Sequence, residues 1–471
     1  MSAAGPWPDV PEPGTVPVDV LDARRAANKI GTTLEAVHRT FSRWLGADYE
    51  VAALDVVLAT AAVERLDGDP LWTLLLSGSG NAKTETVQAL SDADAIITST
   101  ISSPGALLSA TSQKERATDA TGGLLRTIGP RGLLVIKDMT SVLSMSRDMR
   151  GEVLAALREV YDGRWSRNVG TDGGRTLEWV GRIAVVGAVT TAWDRAHDVI
   201  ATMGDRFVVV RMDSHHGRQA AGRQAIGNTG HEVQMRAELA EAVAGVLASV
   251  NPEAAITVTA QETDVLLAAA DVVTLARTGV EYDYRGDVID SHAPEMPTRF
   301  AKQLAQVVRG GVAIGMDRTD ALRLAIRCAR DSVPPIRLTI IDDIAGNPHS
   351  STKDVRQRLG KPRATVDRQL QALHMLGVID VEEQESEHAG KPATIWYYTL
   401  AAGITPTALD PDSVPDLALP TQPSIREGQK RGSLRVPPAK SGTECTVCGE
   451  PLDPWLTDQD ATAHVGCAVT S

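Results

Sequence analysis

The sequence predicts an α/β fold, in which a mostly parallel sheet with crossover helices is followed by smaller modules. Three observations support this prediction. The apolar run over residues 71–76 leads directly into a small, glycine-bearing loop, as a strand does before a helix. Short apolar runs then alternate with segments of helical periodicity as far as residue 213. The strongest of these runs, residues 132–138, ends on an acid.

Composition limits the classes of protein that the chain can belong to. Its 471 residues are enough for more than one domain, and 43% hydrophobic residues with 4% aromatics predict aliphatic cores. A net charge of -13 argues against a surface that is basic overall and binds nucleic acid throughout, but it allows local basic patches. Four cysteines suit a reducing compartment. Without a signal-peptide pattern or a membrane-spanning apolar run, we expect a cytoplasmic protein with no membrane partner.

Changes in periodicity and composition divide the chain into seven segments. We predict, in order, a disordered lead-in (1–20), a helical N-terminal region (21–67), an α/β core (68–215), a helical region (216–334), a module of three helices and a strand pair (335–402), a Pro-rich linker with a basic second half (403–440) and a cysteine- and histidine-bearing tail (441–471).

The loop that follows the first strand is predicted to bind phosphate, in the manner of a Walker A loop. Such a loop turns backbone N–H groups toward a polyphosphate at a helix N-terminus. Lys83 and Thr84 match the pattern, and we expect them to reach the β/γ-phosphates of ATP and to help hold Mg²⁺. The alternative is an ordinary strand–turn–helix with a chance Lys-Thr pair. The predicted nucleotide contacts are Ser77, Gly78, Ser79, Gly80, Asn81, Ala82, Lys83, Thr84 and Glu85.

Two further strand ends carry polar residues that suit this chemistry. Asp138 would lie at the carboxyl edge of the sheet, where it could hold Mg²⁺ or polarise water. Because Lys137 stands where a second acid is usual, the role of Asp138 remains open, and a solvent-facing cap is the alternative. Thr190 and Thr191 end the following strand, and one hydroxyl could sense the γ-phosphate.

Arginines in three places are candidates for phosphate contacts. Arg164, Arg167 and Arg175 cluster on a predicted hairpin that could follow a nucleic-acid backbone, although a solvated hairpin fits equally well. Arg206, in a Gly-Asp-Arg-Phe run, could act as a finger on a neighbouring subunit's nucleotide or simply pair with an acid. Arg299 lies at the start of a predicted helix, where its side chain could contact the nucleotide or lie on the surface.

The order of these motifs resembles an AAA+ ATPase over about residues 71–400. The likeness is greatest to the clade with an extra hairpin before the sensor strand, which includes the minichromosome-maintenance helicases. It implies that ATP and Mg²⁺ are bound, and the departures at Ser77, Ala82 and Lys137 leave open whether ATP is hydrolysed. The implied roles are Walker A for Lys83 and Thr84, the Walker B acid for Asp138, first sensor for Thr190 or Thr191, finger for Arg206 and second sensor for Arg299.

Residues 335–402 predict a winged helix-turn-helix, because three helical segments precede a strand pair. The third helix would enter the DNA major groove, and its flank is basic. The acidic wing over residues 382–387 keeps a protein-binding role open. The predicted DNA contacts are Lys361, Arg363, Thr365, Arg368 and, on the wing, Lys391.

The tail carries two pairs of metal-ligand residues, each with two intervening residues. Cys445, Cys448, His464 and Cys467 match a tetrahedral Cys₃His zinc site, and Zn²⁺ would supply the folding energy of so short a segment. Unpaired thiols are the alternative. Cys328 lies on an apolar helical face and is predicted to be a core residue.

Together these features predict an ATP-dependent, DNA-acting ATPase, helicase-like or DNA-remodelling, in replication of a chromosome or mobile element. An arginine finger that acts on the nucleotide of another subunit requires a neighbouring copy of the chain, so a homo-oligomeric ring is expected. Two alternatives remain at this stage. One is a winged-helix transcriptional regulator that senses ATP, and the other is a helicase loader or adaptor that binds replication proteins.

Overall fold

A five-stranded parallel sheet forms the centre of the fold, as the strand–helix alternation predicts. The computed structural model describes residues 32–110, 121–170, 173–196, 206–388 and 391–416. Along the sheet the strand order is β2-β3-β6-β1-β7. An antiparallel hairpin, β4–β5, intervenes in the chain. The strands are β1 (Trp72–Leu76), β2 (Ala95–Thr98), β3 (Arg131–Ile136), β4 (Arg164–Val169), β5 (Arg175–Val180), β6 (Arg182–Val189) and β7 (Val208–Arg211).

Both faces of the sheet are covered, so alternate residues of one strand enter two different cores. In β1, Leu75 packs into the core on one face, and Trp72, Leu74 and Leu76 pack into the core on the other. This explains why the strands read as continuous apolar runs. β2, at one edge of the sheet, is the exception, since all four of its residues are half-buried.

Helices on the two faces come from different parts of the chain. One face is covered by the N-terminal helices and by the helical region after the sheet, and the other by helices inserted between strands. Up to residue 331 the helices are α1 (Leu34–Leu45), α2 (Val51–Arg65), α3 (Lys83–Gln88), α4 (Pro104–Leu107), α5 (Leu124–Ile128), α6 (Thr140–Leu143), α7 (Arg147–Tyr161), α8 (Ala192–Arg195), α9 (Arg218–Gly227), α10 (Glu232–Ala248), α11 (Ala260–Ala276), α12 (Thr298–Ala313) and α13 (Arg318–Asp331).

The prediction that residues 216–334 form a helical region is wrong at one place. Between α11 and α12 the chain forms an antiparallel hairpin of β8 (Val280–Tyr282) and β9 (Val288–Ser291). Val280, Tyr282 and Val288 pack on the core, which anchors the hairpin by alternate residues. Its turn contains Gly286, whose φ of 82° is in the left-handed region that glycine adopts without strain.

Three helices and a three-stranded antiparallel sheet follow, with the sheet order β10-β12-β11. Ser351 caps the middle helix and forms a capping box with Asp354. The sequence predicts that either Ser350 or Ser351 has this role. The elements are α14 (Pro335–Gly346), β10 (Ser350–Ser351), α15 (Thr352–Leu359), α16 (Arg363–Met375), β11 (Ile379–His388) and β12 (Lys391–Leu400).

The described residues as far as 416 belong to one compact unit, and the predicted boundaries between domains remain predictions. The predicted disordered lead-in over residues 1–20 lies outside the described residues, and so does the start of the predicted helical region 21–67. No helix in the described part of the chain is long and apolar enough to cross a membrane.

Candidate nucleotide-binding cleft

The carboxyl ends of β1, β6 and β3 lie side by side at one edge of the sheet, because the three strands are parallel neighbours. The chain that leaves β1 enters α3, whose Val87 packs on one face. The chain that leaves β6 enters α8, whose Trp193 packs on the other. Such a divergence opens a crevice between adjacent strand ends, and open α/β sheets bind ligands there.

The loop between β1 and α3 has a backbone shaped by two left-handed residues. Gly80 has a φ of 81°, and Ala82 has a φ of 53° at the N-cap of α3. Ala82 therefore adopts a conformation that favours glycine, the residue that the Walker A pattern has at this position. Successive left- and right-handed residues turn backbone N–H groups into a concave, anion-binding arrangement.

Lys83 lies over its own loop in this structure. Its ammonium donates to the Ser77 carbonyl at 3.0 Å, the Ser77 hydroxyl at 2.8 Å and the Gly78 carbonyl at 2.5 Å. Burial lowers the pKa of Lys83, and the nearby Asp138 carboxylate opposes that shift. A cation held at the loop and facing an acid is placed to compensate the charge of a phosphate.

Asp138, Thr140 and Thr190 form a polar network across the ends of β3 and β6. Asp138 Oδ1 accepts from the Thr140 backbone N–H at 3.0 Å. The Thr140 hydroxyl accepts from Thr190 N–H at 3.1 Å and donates to the Thr190 hydroxyl at 3.3 Å. Asp138 itself is exposed, so its carboxylate remains accessible from the cleft. Thr191 is also exposed and occupies the N-cap position of α8. Of the two adjacent threonines, Thr190 is the one that lines the cleft.

These groups line one cleft of about 830 Å³. Its floor is the β1–α3 loop together with Lys137, Asp138 and Thr190. Its far wall comes from the α1–α2 turn and from α9, where the small residues Ala220 and Ala221 face the cleft. The volume is that of a pocket for a small-molecule ligand or cofactor.

The segment after β7 contacts the loop at two points. Gly78 N–H donates to the Ser214 hydroxyl at 3.2 Å, and the Asn81 side chain donates to the Asp213 carbonyl at 2.8 Å. Hydrogen bonds from His216 and from the His215 backbone lower the pKa of Asp213 to about 2. The same pairing raises the pKa of His216. This segment therefore closes the side of the cleft opposite Asp138.

Glu85, predicted to contact the nucleotide, pairs with an arginine that sequence reasoning did not identify. Arg236 of α10 donates to both carboxylate oxygens, at 2.9 and 3.0 Å. The pair joins α10 to α3, the helix that begins at the loop. Glu85 and Thr84 both line the cleft.

Arg206 and Arg299 lie at the amino edge of the sheet, away from this cleft. Arg206 lies two residues before the start of β7 and pairs with Asp162 at 3.3 Å. Arg299, in the first turn of α12, pairs with Glu295 at 3.2 Å. The structure therefore does not bring the predicted finger or the predicted second sensor to the cleft of their own chain.

The β4–β5 hairpin forms as predicted, but its arginines differ in their surroundings. Arg167 donates to the Leu108 carbonyl at 3.0 Å and is tied to the body of the protein. Arg164 approaches Glu178 at 3.7 Å across the hairpin. Arg175 is exposed.

The predicted DNA contacts on α16 and beside it are mostly accessible. Lys361, Arg363 and Thr365 are exposed, whereas Arg368 is half-buried and donates to the Arg285 carbonyl at 2.9 Å. The side chain of Lys391 lies outside the described residues. So do all of the predicted zinc ligands: Cys445, Cys448, His464 and Cys467. Cys328 is buried in the core, as predicted.

Sequence reasoning missed Thr140 and the far wall of the cleft. The turn had a local signal, because an Asp side chain often accepts from the backbone N–H two residues on, as Asp138 does from Thr140. The wall residues had none, since residues 44–50 and 213–228 reach the loop only through the tertiary fold. Among the described residues, no group of three or more His, Cys, Asp or Glu side chains is arranged to hold a metal ion.

The fold and the cleft define an α/β protein with a candidate ligand site at the carboxyl edge of a parallel sheet. No protein-family model matches the chain, and no curated protein matches it. Among solved structures 38 chains match. One is "The A form apo structure of NrS-1 C terminal region-CTR", with 13% identity over 78% of this chain and 76% of that chain. Its TM-score of 0.26 is too low to support an argument about fold or function.

Proposed function

We propose that the cleft binds ATP and that the protein hydrolyses it to act on DNA, as an AAA+ ATPase does. One observation carries the proposal: the loop with Lys83, the acid Asp138 and the hydroxyl of Thr190 line the same cleft. These are the residue types that phosphoryl transfer requires, namely a phosphate cradle, a cation and a group that holds metal or orients water.

Each residue of the cleft would have a separate role in binding or hydrolysis of ATP. Backbone N–H groups of residues 79–83 would bind the phosphates, and Lys83 would exchange its bonds to Ser77 and Gly78 for phosphate oxygens. Thr190, held by Thr140, would orient the attacking water or the γ-phosphate. Asp138 would accept a hydrogen bond from that water or hold it through the metal.

The residues present suit Mg²⁺. Thr84 and Asp138 are oxygen donors that line the cleft together, and protein Mg²⁺ sites commonly combine one or two such donors with substrate phosphates and water. When bound, Mg²⁺ would neutralise charge on the phosphate oxygens. A separate Zn²⁺ site in the tail, formed by Cys445, Cys448, His464 and Cys467, remains part of the proposal.

The DNA-binding part of the proposal concerns α14 to β12, which we interpret as a winged helix-turn-helix. The exposed Lys361, Arg363 and Thr365 lie at the start of α16, where a recognition helix contacts base edges. Arg175 on the β4–β5 hairpin supplies a second exposed cation. The position of Arg206 at the amino edge means that any role in ATP hydrolysis would be on the nucleotide of a neighbouring copy.

The test is an ATP hydrolysis assay on the wild-type protein and on Lys83→Ala, each with and without DNA. We expect turnover that DNA stimulates in the wild type, and a loss of roughly 10²-fold in the variant, because one preorganised phosphate ligand is removed. Lys302→Ala is the matched control, since Lys302 is an exposed lysine paired with Asp69 outside the cleft. Absence of turnover under every condition would refute the ATPase and leave binding to be tested separately.

A second candidate function is a DNA-binding regulator that binds ATP without hydrolysing it. The observation in its favour is Lys137, a second lysine that lines the cleft beside the acid. Saturable ATP binding without turnover, together with tight binding to one duplex sequence, would support this candidate. A helicase loader or adaptor would instead co-purify with a replication protein and lose it when the tail is removed.

A further inference from the structure

The β8–β9 hairpin lies against α16, the helix to which we assign DNA recognition. β9 packs on α16, and the hairpin turn faces Arg368 on that helix. Arg368 Nη2 donates to the Arg285 carbonyl at 2.9 Å. One of the arginines predicted to contact DNA is thus already occupied by another part of the same chain.

The hairpin turn is built for this contact. Asp283 Oδ1 accepts from the backbone N–H groups of Arg285 and Asp287, at 2.8 and 2.9 Å, and so fixes the turn. Gly286 follows Arg285, and a Cβ there would lie only 2.5 Å from Arg368 Nη2. A glycine at this position therefore lets the arginine side chain lie flat on the turn.

A buried arginine holds the two parts in register. Arg337 of α14 is 2% exposed and donates to the carbonyls of Ala276 and Thr278, at 2.9 and 2.6 Å, where the chain passes from α11 to the hairpin. Its Nε donates to the Gln369 side chain, next to Arg368 on α16, at 3.0 Å. The base of the hairpin and the helix that it covers are thus tied to the same side chain.

The charge of the hairpin opposes DNA. Glu281, Asp283, Asp287 and Asp290 outnumber its single cation, Arg285. Glu281, Asp287 and Asp290 are exposed, so their carboxylates would face the phosphates of a duplex brought to α16. Repulsion between such charges weakens DNA binding most strongly at low salt.

We infer that the β8–β9 hairpin is an autoinhibitory cover, which occupies Arg368 and repels DNA phosphates until it moves off α16. The inference rests on the proposed DNA-binding function of α16. Full engagement of DNA then requires Arg368 to leave the Arg285 carbonyl and the hairpin to separate from the helix. Arg363, exposed at the start of α16, supplies binding that does not depend on the hairpin.

The test compares two variants that change the net charge equally. Glu281→Gln/Asp287→Asn neutralises exposed hairpin acids and leaves Asp283 to hold the turn. Glu152→Gln/Glu159→Gln neutralises two exposed acids on α7. Binding of the full chain to a pool of random-sequence duplex DNA is measured at low salt. We expect the hairpin variant to bind roughly tenfold more tightly than wild type and the α7 variant to bind about as wild type does.

Three results would overturn the inference, and they can be told apart. Equal affinity of the hairpin variant and wild type, with weaker binding by Arg363→Ala, refutes the cover and retains the DNA function. Weaker binding by the hairpin variant shows that the hairpin is itself a DNA contact. No DNA binding by any of these proteins refutes the proposed function together with the inference.

Hydrogen exchange gives a second measurement that does not depend on the variants. In the free protein, β9 packs on α16 and the Arg285 carbonyl accepts from Arg368 of that helix. Release of the cover predicts faster exchange in β8 and β9 when DNA is added, while α16 becomes more protected. Greater protection of both segments would contradict the inference.

Discussion

The two edges of the central sheet use charged residues in opposite ways. At the carboxyl edge, Lys83 bonds to its own loop and the exposed Asp138 faces an open cleft. At the amino edge, Arg277 and Arg206 are buried and paired with Glu295 and Asp162. Buried charges are tolerated when partners satisfy them, whereas charges around an open cleft can exchange partners with a ligand. Under the proposed function, the first edge carries the chemistry, whereas the paired charges at the second stabilise the fold.

The largest expected effect is at the carboxyl edge. Asp138→Asn keeps the shape of the side chain and its contact with Thr140 but removes the charge. We expect ATP turnover to fall roughly 10²-fold, because the group that holds metal or water loses its charge, while ATP binding changes little. Steady-state hydrolysis and a titration with Mg²⁺-ATP measure the two quantities. Unchanged turnover would remove Asp138 from the mechanism.

The amino edge should respond in stability instead. Arg277 is 3% exposed, donates to Glu295 at 2.8 Å and lies over the Phe300 ring. Arg277→Met leaves Glu295 without this partner, and we expect the free energy of unfolding to fall by about 2–3 kcal/mol. Denaturant unfolding measures it. The control, Arg323→Met, removes only exposed ion pairs and should cost under about 1 kcal/mol.

The adjacent residues Thr190 and Thr191 differ in their contacts and should differ in their effect on ATP turnover. Thr190→Val removes a hydroxyl that bonds to Thr140, and we expect roughly a tenfold decrease in ATP turnover. Thr191→Val changes an exposed residue at the start of α8 and should have little effect. The two variants are compared in the same hydrolysis assay. Equal losses would show that the strand end as a whole, and not the Thr190 hydroxyl, matters.

The smallest expected effect is at the Glu85–Arg236 pair. Both oxygens of Glu85 are bonded, but Arg236 is about half exposed, so solvent and salt screen the interaction. Arg236→Gln should lower the free energy of unfolding by at most about 1 kcal/mol. The difference should diminish as NaCl is added to the unfolding experiment. A larger, salt-independent loss would indicate that the pair anchors α10 to the loop.

The sequence was sufficient to predict the elements that local pattern determines. Residues 71–76 and 132–138 read as strands because their apolar runs are buried on both faces, and the helices of the 230–332 region have clear periodicity. The β8–β9 hairpin was missed because its strands are short and polar on one side, although Tyr282, Val288 and Gly286 carried the signal for strands and a turn. Pattern alone did not separate these residues from the helices around them.

The candidate site divides in the same way. Lys83, Thr84 and Asp138 were identifiable because the loop after β1 and the end of β3 each carry a local sequence pattern. Arg206 lies at the opposite edge because it stands just before the parallel strand β7. The placement of Arg299 could not be predicted, because it depends on how α12 packs beside the start of β1. Gln306 of α12 donates to the Asp69 carbonyl, just before β1. The contact of Asp213 and Ser214 with the loop likewise arises from strand order.

Binding of ATP in the cleft through Lys83 should stabilise the folded protein. Thermal unfolding of wild type, Lys83→Ala and Lys302→Ala is measured with and without Mg²⁺-ATP at about 100 times the wild-type Kd. We expect stabilisation of about 2.7 kcal/mol in wild type and in Lys302→Ala, and a much smaller value in Lys83→Ala. Equal stabilisation of all three proteins, or stabilisation of none, would contradict it.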